Sequence, residues 1–275
     1  MAPRRQPTRS DIAERLEAEV HALGSTPGAK LPSERELAQL LGVSRPLIRE
    51  AMQSLVERGL VEVSPGRGAF VRAASTTEAA RPLGSHYRRQ KITLRHLIEV
   101  RAMIEPPAAR LAATRASEPE IEALGEAVER TEASKALLER ARWDLAIHRI
   151  VSRMPHNPMI ETTFESIVPL IFELLLRSLG DRKVVAASAP YHRALYEAIR
   201  DRRPEDAYDA MLAHHESGRL VYDADLDSSI HGVAQRELAK LLGPSASIER
   251  VLSEILREPL LGASDSTEAL PRFAQ

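Results

Sequence analysis

The sequence contains no cysteine. That excludes disulfides, thiolate metal sites and cysteine nucleophiles together. Strong charge of either sign is also missing: 38 Lys+Arg stand against 39 Asp+Glu, for a formal net charge of −1. The whole chain therefore carries no nucleic-acid signature, and the position of its basic residues matters more than their sum. Through Ser75 there are eleven Lys+Arg against nine Asp+Glu, and 27 against 30 after it, a weak polarity with the basic end first. No apolar run approaches the roughly 18–20 residues that span a bilayer. The opening MAPRRQPTRS lacks the apolar stretch of a secretory signal. These absences point to a cytoplasmic protein with no membrane partner. There is no internal repeat. What remains is ordinary globular material, 275 residues at 43% hydrophobic, enough for two domains.

Residues 1–9 read as a flexible basic arm. Ser10 is a candidate helix cap, after which Ile12, Leu16, Val20 and Leu23 recur at helical spacing. The stretch Gly24–Pro32 breaks that helix. Ser33 with Glu36 forms a capping-box pattern ahead of Leu37, Leu40 and Leu41, and Gly42 ends this short element. Ser44 caps the next helix, with Pro46 in its first turn and Leu47, Ile48, Met52 and Leu55 facing inward. Leu60–Ser64 and Ala69–Arg72 read as two strands joined by Pro65-Gly66-Arg67-Gly68. Helix, short helix, glycine turn, helix and two-stranded wing is the order of a winged helix-turn-helix. A recognition helix offers its N-terminal residues to base edges in the major groove. Here those are Ser44 and Arg45, with Arg49 one turn on and Arg35 in the preceding helix. The wing tip, Gly66 and Arg67, allows close approach to the backbone or a minor groove. Taken singly, each arginine is equally well a solvated surface charge.

The polar stretch 73–91 reads as an interdomain linker. From Thr93 the pattern is helical almost throughout, with segments at Thr93–Arg115, Pro119–Glu132, Lys135–Arg153, Pro158–Leu179, Pro190–Arg202 and Pro204–Asp223. Two shorter helical patterns follow, near Val233–Leu242 and Ser247–Arg257, and the residues after Gly262 read as disordered. The fold class is mainly α: a winged helix-turn-helix over residues 10–74, a linker over 75–91, an all-α helical bundle over 92–225, and an extension over 226–275.

Asp144 and His148 are four apart, hence on one face of one helix. His192 and His214 lie ten residues to either side of a turn at Arg203-Pro204, so an antiparallel helix pair sets them level about 15 Å from the turn. One carboxylate with three imidazoles suits Zn²⁺ or a similar divalent metal ion. Competing readings are core histidines that hydrogen-bond internally, an Asp144–Arg pair, and His215 in place of His214.

The run LPSERELAQLLGVSRPLIREAMQSLVERGLVEVSPGRGAFV resembles the GntR-type winged helix. That resemblance implies DNA contacts at Arg35, Arg45 and Arg49, helped by Ser44 and Gly66. Pro46 and Leu47 depart from the small polar residues usual there. IEVRAMIEPPAARLAATRAS, DLAIHRIVSRMPHNPMI and HRALYEAIRDRRPEDAYDAMLAHH are similar to the FCD sensor domain of the FadR-like branch. The resemblance implies a metal held by Asp144, His148, His192 and His214, with a small organic acid docking near it. It makes Arg101 a partner for an effector carboxylate or a member of a buried ion pair. Asn157 either lines the cavity or caps the helix at Pro158.

The expected protein is a homodimeric repressor that reads a palindromic double-stranded operator and responds to a small organic or sugar acid. A metal-dependent enzyme with a DNA-binding appendage is the rival, although no general base or nucleophile set accompanies the metal residues. A DNA-binding module with a purely structural dimerisation domain is the third reading.

Overall fold

The computed structural model describes residues 7–22, 26–179, 182–219 and 225–256. The chain divides into two compact units, with the division falling after Glu78.

In the first unit, α1 (Arg9–Ala22) buries Ile12, Ala13, Leu16 and Val20. Its cap is Thr8 rather than Ser10: the Asp11 amide donates to the Thr8 hydroxyl at 3.3 Å, and Thr8 N donates back to the Asp11 carboxylate at 2.7 Å. The expected arm thus ends two residues early, and residues 1–6 lie outside the described residues. Helix α2 (Glu34–Leu41) carries the Ser33/Glu36 capping box, and Gly42 closes it in the left-handed region at φ 64°. Helix α3 (Arg45–Glu57) buries Ile48, Ala51, Met52 and Leu55 on one stripe. Strands β1 (Val61–Ser64) and β2 (Gly68–Val71) pair antiparallel, with Ser64 opposite Gly68. Their tip is a Pro-Gly turn in which Arg67 N donates to Ser64 O, and Gly66 supplies the positive φ of 75° that such a turn needs at its third residue. The segment 28–31, read from sequence only as a helix break, lays a third strand-like edge on the wing. Gly28 N and Leu31 N donate to Val71 O and Ala69 O, and Val71 N donates to Ala29 O, each at 2.8 Å.

The polar stretch expected to be a linker holds a helix, α4 (Thr76–Arg88). Ala80 and Gly84 fall on its buried face, and the backbone at Gly84 lies so close to the later helix α8 (Pro158–Leu179) that a Cβ there would come within 3.1 Å of the Ser166 carbonyl. The second unit continues with α5 (Leu94–Arg115), α6 (Glu118–Ala133), α7 (Leu137–Arg153), α8 (Pro158–Leu179), α9 (Arg182–Arg200) and α10 (Pro204–Arg219). Helix α9 begins eight residues before Pro190, which lies inside it. Residues 220–223, expected to extend α10, lie outside the described residues.

Two apolar clusters flank the middle of this unit. One unites α5 and α6 with α7, α9 and α10 around Ala109, Leu124, Ile147, Leu195 and Met211. The other is built around α8, where Phe164, Ile171 and Phe172 are fully buried. A helix so apolar must be covered on nearly every side. The cover comes from the extension: α11 (Ile230–Leu242) and α12 (Ile248–Ile255) add Ile230, Val233, Ala234, Leu238, Ile248 and Leu252 to the α8 cluster. The extension is also tied to the head of α5, where Ile230 N donates to Ile92 O and Arg95 N to Leu226 O. Residues after 256 lie outside the described residues, including those expected to be disordered.

Leu238 is 0% exposed. Leu238→Ala is expected to lower the stability of the helical unit by about 2–5 kcal/mol, read from urea unfolding. A midpoint equal to wild type would show that α11 does not pack on α8.

Candidate functional site

The exposed side of the winged unit carries all the sequence-expected DNA residues. Arg35 stands in the first turn of α2, Ser44 and Arg45 at the head of α3, Arg49 one turn on, and Gly66 and Arg67 at the wing tip; all are exposed. Ser44 caps α3 through its backbone, with no hydroxyl bond to the helix, so its side chain is not consumed by capping. Arg49 is not a freely solvated charge. Its Nε and Nη2 donate to the two carboxylate oxygens of Glu34 at 3.1 and 3.0 Å, which fixes its direction and joins α2 to α3. Arg67 lies over the Phe70 ring at 5.6 Å.

The helical unit holds a group of charged and imidazole side chains where α5, α7, α9 and α10 meet. Asp144 and His148 share one face of α7, as their spacing requires. The level placement of His192 and His214 is observed, with ring centroids 4.3 Å apart; His148 lies 5.1 Å from His214 and 5.6 Å from His192. One ring nitrogen of each of the three histidines falls within 4.8 Å of the other two. Asp144 completes the set: its Oδ1 is 3.6 Å from His148 Nε2 and its Oδ2 3.9 Å from His192 Nε2.

Two further residues belong to the group. Glu105 of α5, 2% exposed, meets His148 Nδ1 at 2.5 Å and takes Arg101 Nε and Nη2 at 2.5 and 3.3 Å. His215 of α10 brings Nε2 to 3.4 Å from the same carboxylate. The sequence offers His215 only as an alternative to His214 and does not single out Glu105, although Arg101 and Glu105 stand four apart just as Asp144 and His148 do. Arg101 is thus a member of a buried ion pair. Its Nη2 lies 3.4 and 3.3 Å from the two nitrogens of His148, against the ring rather than in line with either lone pair. Asn157 is at the head of α8, its Oδ1 accepting from Met159 N at 3.0 Å; that is the capping role.

Burial and pairing set the protonation states. Burial alone would raise the Glu105 carboxyl, but Arg101, His148 and His215 hold it well below the usual range. Asp144 is likewise lowered, because His192 and His148 outweigh its burial. His148 is raised, Glu105 and Asp144 overcoming burial. Burial pushes His192 down to about 4, and lowers His214 and His215 as well. At neutral pH the interior therefore presents an ionised aspartate beside the neutral imidazoles of His192 and His214, the protonation states that metal ligands require; Glu105 and Asp144 favour the charged form of His148, whose proton a metal ion would displace.

The donor set has the chemistry of a divalent metal site. Asp144 Oδ1, His192 Nε2 and His214 Nδ1 are buried and, among the described residues, have no hydrogen-bond partner, an expensive condition unless something binds them. A second trio, Glu105, His148 and His215, also has ligand spacing. It shares His148 with the first, and the Arg101 guanidinium on the Glu105 carboxylate opposes a cation there. The Asp144 side is therefore the better fit.

Replacing Glu105 by Gln would take away the buried carboxylate that meets both Arg101 and His148. The expected loss is about 3–5 kcal/mol in chemical denaturation of metal-free protein; a change near zero would show that the pair is not buried.

Among the described residues, no helix is long and apolar enough to cross a membrane. Residues 8–71 match the family described as bacterial regulatory proteins, gntR family, and residues 96–217 match the FCD domain. The chain is 30% identical over 231 residues to the Glc operon transcriptional activator of Escherichia coli K12, covering 81% of this chain and 88% of that protein. It is 29% identical to the HTH-type transcriptional repressor NanR of Enterobacter sp. strain 638, covering 78% and 84% of the two chains. A solved structure, Streptococcus agalactiae GntR, matches with a TM-score of 0.60 and 29% identity over 78% of this chain and 99% of that one. A winged helix with its arginines outward, a helical unit with its histidines inward, and these likenesses lead to one conclusion: the chain belongs to the gntR family of bacterial regulatory proteins, as a transcription regulator with an FCD domain.

Proposed function

We propose that this protein is a homodimeric repressor that occupies a palindromic operator and releases it when a small carboxylic acid binds in the helical unit beside a divalent metal ion. The observation that carries this reading is the convergence of buried, unpartnered ligand atoms on Asp144, His192 and His214 within the chain that also bears the winged helix. Asp144, His148, His192 and His214 would hold the ion, Zn²⁺ being well suited to one oxygen and three nitrogen donors. The ion would supply a Lewis-acid anchor for an effector carboxylate. An effector of this kind shifts the operator equilibrium only through different affinities for the DNA-bound and DNA-free states. Two-fold symmetry of the dimer would match two half-sites.

On the DNA side, Arg45 and Arg49 would read base edges, Arg35 and Ser44 would position the helix on phosphates, and Gly66 with Arg67 would bring the wing to the backbone. Arg45→Ala or Arg49→Ala is expected to cost about 1–3 kcal/mol of specific binding each, with the thermal melt unchanged. A DNase footprint that survives the double substitution would contradict the assignment. In the helical unit, His148→Ala with His192→Ala should remove bound metal as measured by elemental analysis. Metal content equal to wild type would reject the site.

A further inference from the structure

Two apolar residues stand at the head of helix α3, and the fold uses them differently. The helix buries Ile48, Ala51, Met52 and Leu55. Leu47, half-buried, packs against the same cluster. Pro46 does not: it is exposed, with exposed Arg45 before it and exposed Arg49 three residues on. Successive residues of a helix are turned about 100° apart, so Pro46 points almost directly away from the buried stripe. It stands in the middle of the face that a groove would receive, at the end where base edges are reached. Its place in the first turn explains why a proline is tolerated there, not what its ring meets. The chemistry of the ring narrows that choice. Proline has no N–H to offer a phosphate, and no polar side-chain atom to offer a base edge. The apolar group that the major groove presents is the C5-methyl of thymine. Set against a purine instead, the ring would cover N7 and leave that acceptor without water or a donor.

We infer that Pro46 is a specificity-determining residue: its ring packs on the C5-methyl of one thymine in each half-site, beside the bases met by Arg45 and Arg49. The inference rests on the reading of α3 as the recognition helix. Its size follows from the group buried. Removing one methyl from water is worth about fourfold in affinity per half-site, and roughly 15-fold across a symmetric operator.

The test begins by selecting bound sequences from a random DNA library with the full-length protein. In the selected duplex each thymine is then replaced in turn by deoxyuridine, which removes the methyl and keeps the hydrogen-bonding edges. Fluorescence anisotropy compares wild type with Pro46→Ser on both duplexes, and a thermal melt shows that the variant is folded. At one thymine per half-site, deoxyuridine should weaken wild type about fourfold, and roughly 15-fold when both half-sites are changed. Pro46→Ser should bind the doubly changed duplex within about twofold of the thymine one, since the contact is already gone. Pro46→Ala, which keeps an apolar Cβ, should fall between the two. A second selection with Pro46→Ser should no longer fix thymine at that position. A ring that only starts the helix would lower affinity for both duplexes alike and leave their ratio as in wild type. That result would overturn the inference. So would selected sequences with no fixed thymine, or wild-type affinity indifferent to deoxyuridine at every one. In those cases a selected sequence still upholds α3 as the DNA reader. A library from which wild type enriches nothing would remove that reading and this inference together.

Discussion

The interior of the helical unit is governed by the cost of keeping charge out of water. Four helices bring Arg101, Glu105, Asp144 and four imidazoles to one place, all but the half-buried His214 nearly inaccessible. An ionised group in such a place is tolerable only if it is paired and hydrogen-bonded. Glu105 meets that condition through Arg101 and His148. Asp144 meets it incompletely, since among the described residues its Oδ1, His192 Nε2 and His214 Nδ1 lack hydrogen-bond partners. These are the atoms that the proposed metal ion would satisfy. The apolar clusters on either side, one around Leu124 and Ile147 and the other around Phe164 and Phe172, hold the four helices in register around that point.

Local rules made half of this site legible in the sequence. Four-residue spacing placed Asp144 with His148, and equal distances from the Arg203-Pro204 turn placed His192 level with His214. The same spacing holds for Arg101 and Glu105, yet Arg–Glu pairs at that interval are common on exposed helix faces. What makes this pair part of the interior is α10 and α7 packing over α5, which no local pattern reports. His215 was legible only as a substitute for His214. In the structure both point inward because α10 packs against both α5 and α9.

The fold shows the same division between local and distant causes. The capping box at Ser33, the left-handed Gly42 and the Pro-Gly wing turn are local, and each is where the sequence puts it. The strand-like edge at 28–31 depends on hydrogen bonds to Ala69 and Val71, some forty residues away, and its own sequence of turn formers hides it. Helix α4 was masked by its polarity and by Pro82; its apolar face is only Ala80, Gly84 and Tyr87, sufficient because Gly84 permits close approach to α8. The α11–α12 extension exists to cover a helix that is apolar nearly all round. Its amphipathic pattern was readable, its destination was not.

The central claim is that the buried aspartate and histidines form a metal-centred sensor. X-ray absorption at the metal edge of zinc-loaded full-length protein, with and without glycolate, tests it most directly. The account predicts a shell of nitrogen and oxygen only, with the multiple-scattering signature of three imidazoles, and an oxygen contribution that changes when the acid is added. A zinc ion without imidazole scattering, or a spectrum indifferent to every short acid, would contradict it.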